Sequence, residues 1–503
     1  MKIVWIDVDT LRADRLGCYG WDRGTSPNLD RVASEGALFR RAYTSNAPCV
    51  PSRAAMISGR FGVNNGILTH PGAGAWLSDK AFGRGGELLA TRPLQRLGVH
   101  TASISSFYKH DHGRETQWFR YGFDESHDPN FTKRCQRDLS DDVNRIALPW
   151  LEQHAQEDFL LHLHYWDPHT PYDLPEEVHK PFVDKPPWPW PTEELKREHL
   201  SRFYAHGPRR LGLRTMEQLD GFMKKYDAQV YETDRHIGEV LDKLGELGIL
   251  DDTLIVVTAD HGEQFGEQGM YGEHAAAVNS DIKVPLIMRM PSRIEAGTAS
   301  DALVYTQDII PTMWEYAGAE PHETDFASLW PLVDGKQDRL HDFLVCDHGL
   351  YTATRAVMRD NLKLLLTYSP GFYGYQLYPP AALYDLSTDP YEQNDLIEQR
   401  TDEARELFEL VLGWLGQHGL DESSDPLQVL GNKGPRTYDF PEMFIKQELA
   451  WKGIRAESVP GHATSIDPRA QQQPATETRT AATRTPPSPS SVIRTAGSNP
   501  RRS

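Results

Sequence analysis

Short apolar runs bounded by polar turns recur from the N-terminus to about residue 340: Ile3 to Ile6, Phe159 to Leu163, Leu254 to Val257 and Val284 to Met288. Their apolar positions are continuous, the pattern of strands buried on both faces of a parallel sheet. Between the second and third runs the period changes. From Tyr226 onward Val230, Ile237, Val240, Leu241, Leu244 and Leu247 recur at helical spacing, and Gly248 closes the helix before the next strand. Strand and helix patterns in alternation predict a doubly wound α/β sheet over residues 1–340, with ligands at the carboxyl ends of its strands.

From 341 to 459 the pattern differs. Ala356-Val357-Met358 and Leu362-Lys363-Leu364-Leu365-Leu366 read as hairpin strands, and Thr401 to His418 as an amphipathic helix carrying Leu407, Leu410, Val411 and Trp414. This predicts a smaller α+β subdomain. Over 460–503 Gln, Pro, Thr, Ser and Ala dominate, with too few apolar side chains to offset ordering entropy, so a disordered tail is expected.

Composition narrows the class. The chain has 503 residues, 39% of them apolar, and no run approaches the roughly 20 apolar residues of a membrane span. Met1-Lys2 runs straight into Ile3-Val4-Trp5-Ile6, which predicts a cytoplasmic protein without a secretory signal. A net charge of -19 argues against a nucleic-acid partner but leaves room for a small anionic substrate in a locally positive pocket. Cys18, Cys49, Cys135 and Cys346 lie far apart, so a disulfide framework is not expected.

Candidate chemistry centres on Cys49-Val50-Pro51-Ser52-Arg53, followed by Ser58-Gly59-Arg60. Pro51 suits the first turn of a helix that Ser52 to Ile57 can continue, which puts Cys49 near its N-terminal end. Unpaired backbone N–H groups there favour sulfate or phosphate, and Arg53 adds a bidentate donor about one turn on. The same five residues also read as a buried cysteine ahead of an ordinary helix. Asp7 and Asp9 project to one side of the first strand, and Asp260-His261-Gly262-Glu263 follows the strand Leu254 to Val257. With Cys49 they make a candidate divalent-cation site, although each aspartate alone also reads as a cap or turn residue. Oxygen ligands favour Ca²⁺ or Mg²⁺, and an imidazole admits Mn²⁺.

These segments together resemble the type I sulfatases of the alkaline phosphatase superfamily, over most of the first 400 residues. The resemblance implies an alkaline phosphatase-like doubly wound mixed sheet and a formylglycine made from Cys49 by a formylglycine-generating enzyme. It also implies one divalent cation, Ca²⁺ in the family, held by Asp9, the modified Cys49, Asp260 and His261. The family's first strand ends in Asp-Asp, whereas this chain has Asp9-Thr10. Either Asp7 supplies the missing carboxylate or coordination is lower, as in related phosphonate monoester hydrolases with a single Asp. Pro168-His169-Thr170-Pro171 is similar to the family's Pro-His-x-Pro and makes His169 a contact for the sulfate and the leaving oxygen, while His162 and His164 are read as structural. Gly98-Val99-His100-Thr101-Ala102 resembles the approach to a Lys-x-His pair: Lys109 is present, Asp111 stands at the histidine position, and His110 and His112 compete for the role, with His112 favoured. His274, ahead of Val284-Pro285-Leu286-Ile287, matches a family position that binds the transferred group. Leu383-Tyr384-Asp385-Leu386 with Asp389-Pro390 is similar to a structural C-terminal motif.

The implied reaction is hydrolysis of a sulfate ester, on a sulfated carbohydrate or aryl sulfate, through a hydrated aldehyde at position 49. Arg53 and Lys109 would stabilise charge on the group in flight, His169 or His274 would protonate the departing alkoxide, and His112 or His110 would take the second hydroxyl's proton. Trp118, Tyr121, Trp166 and Tyr172 are candidates to stack on the leaving group. Two alternatives stand beside this reading: a phosphonate monoester or phosphodiester hydrolase of the same superfamily, and a silent metal-binding member with unmodified Cys49.

Overall fold

A computed structural model of the chain describes residues 1–70, 86, 89–109, 116–129, 139–202, 207–320, 322–434 and 489–495. Its main sheet contains β1 (Lys2–Val8), β2 (Ala37–Phe39), β3 (His100–Ile104), β4 (Glu125–His127), β5 (Phe159–Tyr165), β6 (Thr253–Ala259), β7 (Leu286–Arg289) and β8 (Thr298–Ser300). They lie in the order β8-β2-β7-β6-β1-β5-β3-β4. β1 is central and parallel to both neighbours: Asp7 stands in register with His164 on β5 and Thr258 on β6. β7 runs antiparallel to β6 and β2, which makes the sheet mixed. The apolar run expected over Val284 to Met288 becomes a strand only from Leu286, after Pro285, which has no N–H for a ladder.

Helices cover both faces, since β1 has side chains in two cores. Val4, Ile6 and Val8 pack in one with Val230, Ile237 and Val240 of α4 (Met216–Glu246), Leu29 and Val32 of α1 (Pro27–Ser34), and Val143 and Leu151 of α3 (Ser140–His154). Ile3 and Trp5 pack in the other with Met56 of α2 (Cys49–Ser58) and Met313 and Trp314 of α5 (Ile309–Ala317). α4 begins ten residues before the Tyr226 at which its apolar stripe is readable, because Thr215 caps a polar first turn by accepting from Gln218 N–H.

A second sheet follows: β9 (Leu344–His348), β10 (Ala353–Arg359), β11 (Leu362–Ser369) and β12 (Ala381–Asp385), antiparallel in sequence order. Leu407, Val411 and Trp414 of α6 (Thr401–Gln417) pack in its core. β9 also pairs in parallel with Asn46 and Ala47, just ahead of Cys49, so this smaller α+β part is tied to the segment that carries the cysteine. Within the stretch expected to be disordered, Pro489–Thr495 forms a helix, α7, in contact with α6, β11 and β12. Its apolar pair supplies the reason, with Ile493 buried in the second core and Val492 packed against it. No helix among the described residues is long and apolar enough to cross a membrane.

Candidate active site

The carboxyl ends of β1, β5 and β6 converge on the N-terminus of α2. Cys49 is in the first turn of that helix, fully buried, with Sγ 3.1 Å from Nε2 of His261. Asp9, Cys49, Asp260 and His261 each offer a ligand atom, and all four atoms lie within 4.8 Å of one another. Four of the five residues expected to hold a cation are thus brought together. Asp7 is not part of this set, because Arg53 Nε donates to its Oδ2 at 3.0 Å and His162 Nε2 lies 3.6 Å from the same oxygen.

Arg53 is the hub. Its Nη1 donates to Asp9 Oδ2 at 3.0 Å and to Asp260 Oδ2 at 2.5 Å, and its guanidinium lies 4.6 Å from the centre of the Phe107 ring. Burial, the largest single influence, raises the carboxyl pKa values of Asp7 and Asp9, but Arg53 together with His162 and His164 outweighs it and holds both below the ordinary range. Asp260 goes the other way: burial, reinforced by Asp9 and Asp7, overcomes Arg53 and lifts it well above that range. Burial, then the charges of Asp9 and Asp260, likewise push the Cys49 thiol well up. With all three buried carboxyls ionised, as cation ligands must be, the one guanidinium leaves two negative charges uncompensated, the deficit that one divalent cation offsets. The oxygen Asp9 Oδ1 is buried without a hydrogen-bond partner among the described residues, an acceptor a cation would satisfy. The donor set therefore fits a divalent cation.

Thr10, at the family's second Asp position, has a left-handed φ of 55°, and its N–H donates to Asp260 Oδ1 at 3.2 Å. It orients a carboxylate and brings none of its own. His162 and His164 act in the same way. Their Nδ1 atoms lie 2.9 Å from Ser103 and Ser105 Oγ, and His164 Nε2 lies 3.5 Å from Asp9 Oδ2. Both imidazoles are buried beside carboxylates at the end of β1, Asp7 for His162 and Asp9 for His164, a structural role with direct bearing on the site.

His274 follows directly after the short strand Tyr271–Glu273 and lies 4.4 Å from His261 ring to ring. Its Nδ1 lies 3.2 Å from Glu263 Oε1, and Tyr172 donates to Glu263 Oε2 at 3.1 Å. Burial alone would keep His274 neutral, but Glu263 raises its pKa to about 9. Glu263 was visible in the sequence only as part of Asp260-His261-Gly262-Glu263; its role depends on a fold-back that no spacing reveals. His169 is half-buried at 5.6 Å from His274, and its Nδ1 donates to the Thr170 carbonyl. Lys109 follows the β3 loop whose Ser105 and Phe107 reach the site, and it pairs with Asp128. His110 and His112 lie outside the described residues. Of the aromatic candidates, Trp118 and Tyr172 are core, Tyr121 is exposed, and Trp166 is half-buried beside His164 and His169.

The family described as sulfatase matches residues 2–319, and that described as N-sulphoglucosamine sulphohydrolase, C-terminal, matches 266–410. The chain is 24% identical to an N-acetylglucosamine-6-O-sulfatase of Bacteroides thetaiotaomicron, covering 86% of this chain and 89% of that one. It is 25% identical to the multifunctional alkaline phosphatase superfamily protein PehA of Trinickia caryophylli, covering 83% and 95%. Among solved structures, one described in complex with its substrate D-glucosamine-2-N,6-O-disulfate superposes with a TM-score of 0.68 at 21% identity, over 84% of this chain and 99% of that chain. The phosphonate monoester hydrolase of Agrobacterium radiobacter gives 0.63 at 18%, over 83% and 96%.

Proposed function

The chain belongs to the sulfatase family of the alkaline phosphatase superfamily, and on that premise we propose that it hydrolyses a sulfate ester of a carbohydrate at the Cys49 site. The observation that carries this reading is the buried convergence of Cys49 with Asp9, Asp260 and His261 at a helix N-terminus. The relatives with sulfated sugars named in their descriptions support the choice of leaving group.

In the proposed scheme Cys49 is converted to formylglycine, and Asp9, Asp260 and His261 hold a divalent cation, Ca²⁺ by family. When bound, the two supply a hydrated aldehyde nucleophile and a Lewis acid for the sulfate oxygens. The remaining work falls to side chains of this chain. Arg53 holds Asp7, Asp9 and Asp260 in place, so the ligand carboxylates cannot swing apart. The α2 N-terminus offers backbone N–H groups to the anion. His274, its Nδ1 fixed by Glu263, would donate a proton from Nε2 to the leaving oxygen, with His169 at the mouth as its rival for that task. Lys109 would add positive charge from the β3 loop, and Trp166 would provide an apolar wall for the sugar.

A second reading, phosphonate monoester or phosphodiester hydrolysis, is favoured by Thr10 in place of the second Asp. Steady-state kinetics on an aryl sulfate, a glucosamine sulfate and an aryl phosphodiester separate the two. Higher kcat/KM on the sulfates supports the proposal, and a clear preference for the phosphodiester replaces it.

A further inference from the structure

At the opposite edge of the main sheet, where β3 and β5 begin, a second set of metal-ligating side chains converges. Nδ1 of His100, the first residue of β3, lies 3.2 Å from Glu157 Oε2. Nδ1 of His154, the last residue of α3, lies 2.9 Å from the same oxygen. The three ligand atoms are within 4.8 Å of one another. A tetrahedral zinc ion with bonds of about 2.0–2.1 Å holds its ligand atoms about 3.3 Å apart, so little movement is needed to admit one.

The surroundings supply a second, independent observation. The other nitrogen of His100, Nε2, is 3.1 Å from Glu125 Oε1 on β4. Such a carboxylate behind a ligand histidine fixes its tautomer and raises its basicity. Glu125 is itself held, since Trp150 Nε1 donates to its Oε2 at 3.1 Å and His127 Nε2 lies 2.8 Å from that oxygen. Trp150 also stacks on His154, with ring centres 4.3 Å apart and planes at 22°. The two ligand rings are therefore positioned by their own supports, while Glu157, with its side chain half exposed, leaves a side open for water or a further ligand.

We infer that His100, His154 and Glu157 form a zinc-binding site distinct from the Cys49 site. Two imidazole nitrogens and one carboxylate select an ion of the zinc type over Ca²⁺ or Mg²⁺, which prefer oxygen. The seven residues of β1 separate this edge from the carboxyl ends, a distance of roughly 20 Å at the usual strand rise. An ion here would pin the end of α3 to the first residue of β3 and take no part in turnover.

The test uses the full-length protein, stripped with a chelator and reloaded with Ca²⁺, then titrated with Zn²⁺ by calorimetry and equilibrium dialysis. Wild type is expected to bind one Zn²⁺ more than His100→Gln/His154→Gln, and Glu125→Gln to bind that ion about 10–100-fold more weakly. Glu157→Gln, at an exposed position where folding is not at risk, should also lose affinity by at least about tenfold. Sulfate-ester turnover should be the same in all of them. Equal Zn²⁺ stoichiometry and affinity in wild type, the double variant and Glu157→Gln would overturn the site and leave only hydrogen-bonded histidines. So would a wild type that takes up no Zn²⁺.

Discussion

Stripping the divalent cation should destabilise the folded chain, because the buried carboxylates depend on it for charge balance. The side chains of Asp7, Asp9 and Asp260 are each no more than 1% exposed and share the single guanidinium of Arg53, which leaves a buried deficit of two charges when all three are ionised. A cation bound at about 1,000 times its dissociation constant contributes about 4 kcal/mol through mass action. The unfolding entropy of an ordered body of roughly 400 residues is about 0.8 kcal/mol/K, so that contribution corresponds to about 5 °C in Tm. Differential scanning calorimetry with excess Ca²⁺ and with excess chelator measures it directly. Asp260→Asn removes one of the two uncompensated charges and should shrink the difference to less than half. A wild-type Tm that moves by less than about 1 °C between the two conditions would refute the reasoning, because the carboxylates would then be balanced without a cation.

Other expectations follow from single side chains. His274→Ala should lower kcat/KM for an alkyl sulfate by about 10²–10⁴-fold and for a nitrophenyl sulfate much less, with Glu263→Gln showing a smaller loss of the same kind; equal losses on both substrates would remove His274 as the acid. Arg355, fully buried, pairs with both carboxylate oxygens of Asp347 and of Asp425, so Arg355→Met should cost about 3–5 kcal/mol in urea unfolding, and a cost below about 1 kcal/mol would contradict that pairing. His348 is held at about 3, first by burial and then by the charge of His274. Because that folded value lies below the unfolded one, its neutral form stabilises the fold above pH about 6.5, and this is lost as pH falls, at about 1.4 kcal/mol per pH unit. The slope of urea stability between pH 6.5 and 4 should therefore be shallower by one proton in His348→Gln, and identical slopes would count against it.

Much of this architecture is legible in the chain because buried parallel strands are continuous apolar runs, as in Ile3 to Ile6 and Leu254 to Val257, and their polar ends mark where ligands gather. The three-residue strands Ala37–Phe39 and Thr298–Ser300 are too short to show such a run, and their pairing depends on neighbours distant in sequence. The bridge from Asn46 and Ala47 to β9 is invisible for the same reason, although it ties the second sheet to Cys49. At the site, Cys49, Asp9, Asp260 and His261 could be named from motif and strand ends. The engagement of Arg53 by three carboxylates, the displacement of Asp7 from the cluster and the hold of Glu263 on His274 could not, since each is a side-chain contact that only the folded arrangement of helix, strand ends and loops brings together. In the polar C-terminal stretch, the described residues 489–495 form one short helix that docks through Val492 and Ile493, a pair that an average over composition hides.

The central claim is that residue 49 acts as formylglycine, and high-resolution mass spectrometry of the tryptic peptide spanning residues 42–53, from protein purified out of its own host under reducing conditions, tests it most directly. The account predicts an aldehyde, about 18 Da below the cysteine form, or its hydrate, at position 49. An intact thiol at Cys49 in every active preparation would contradict it.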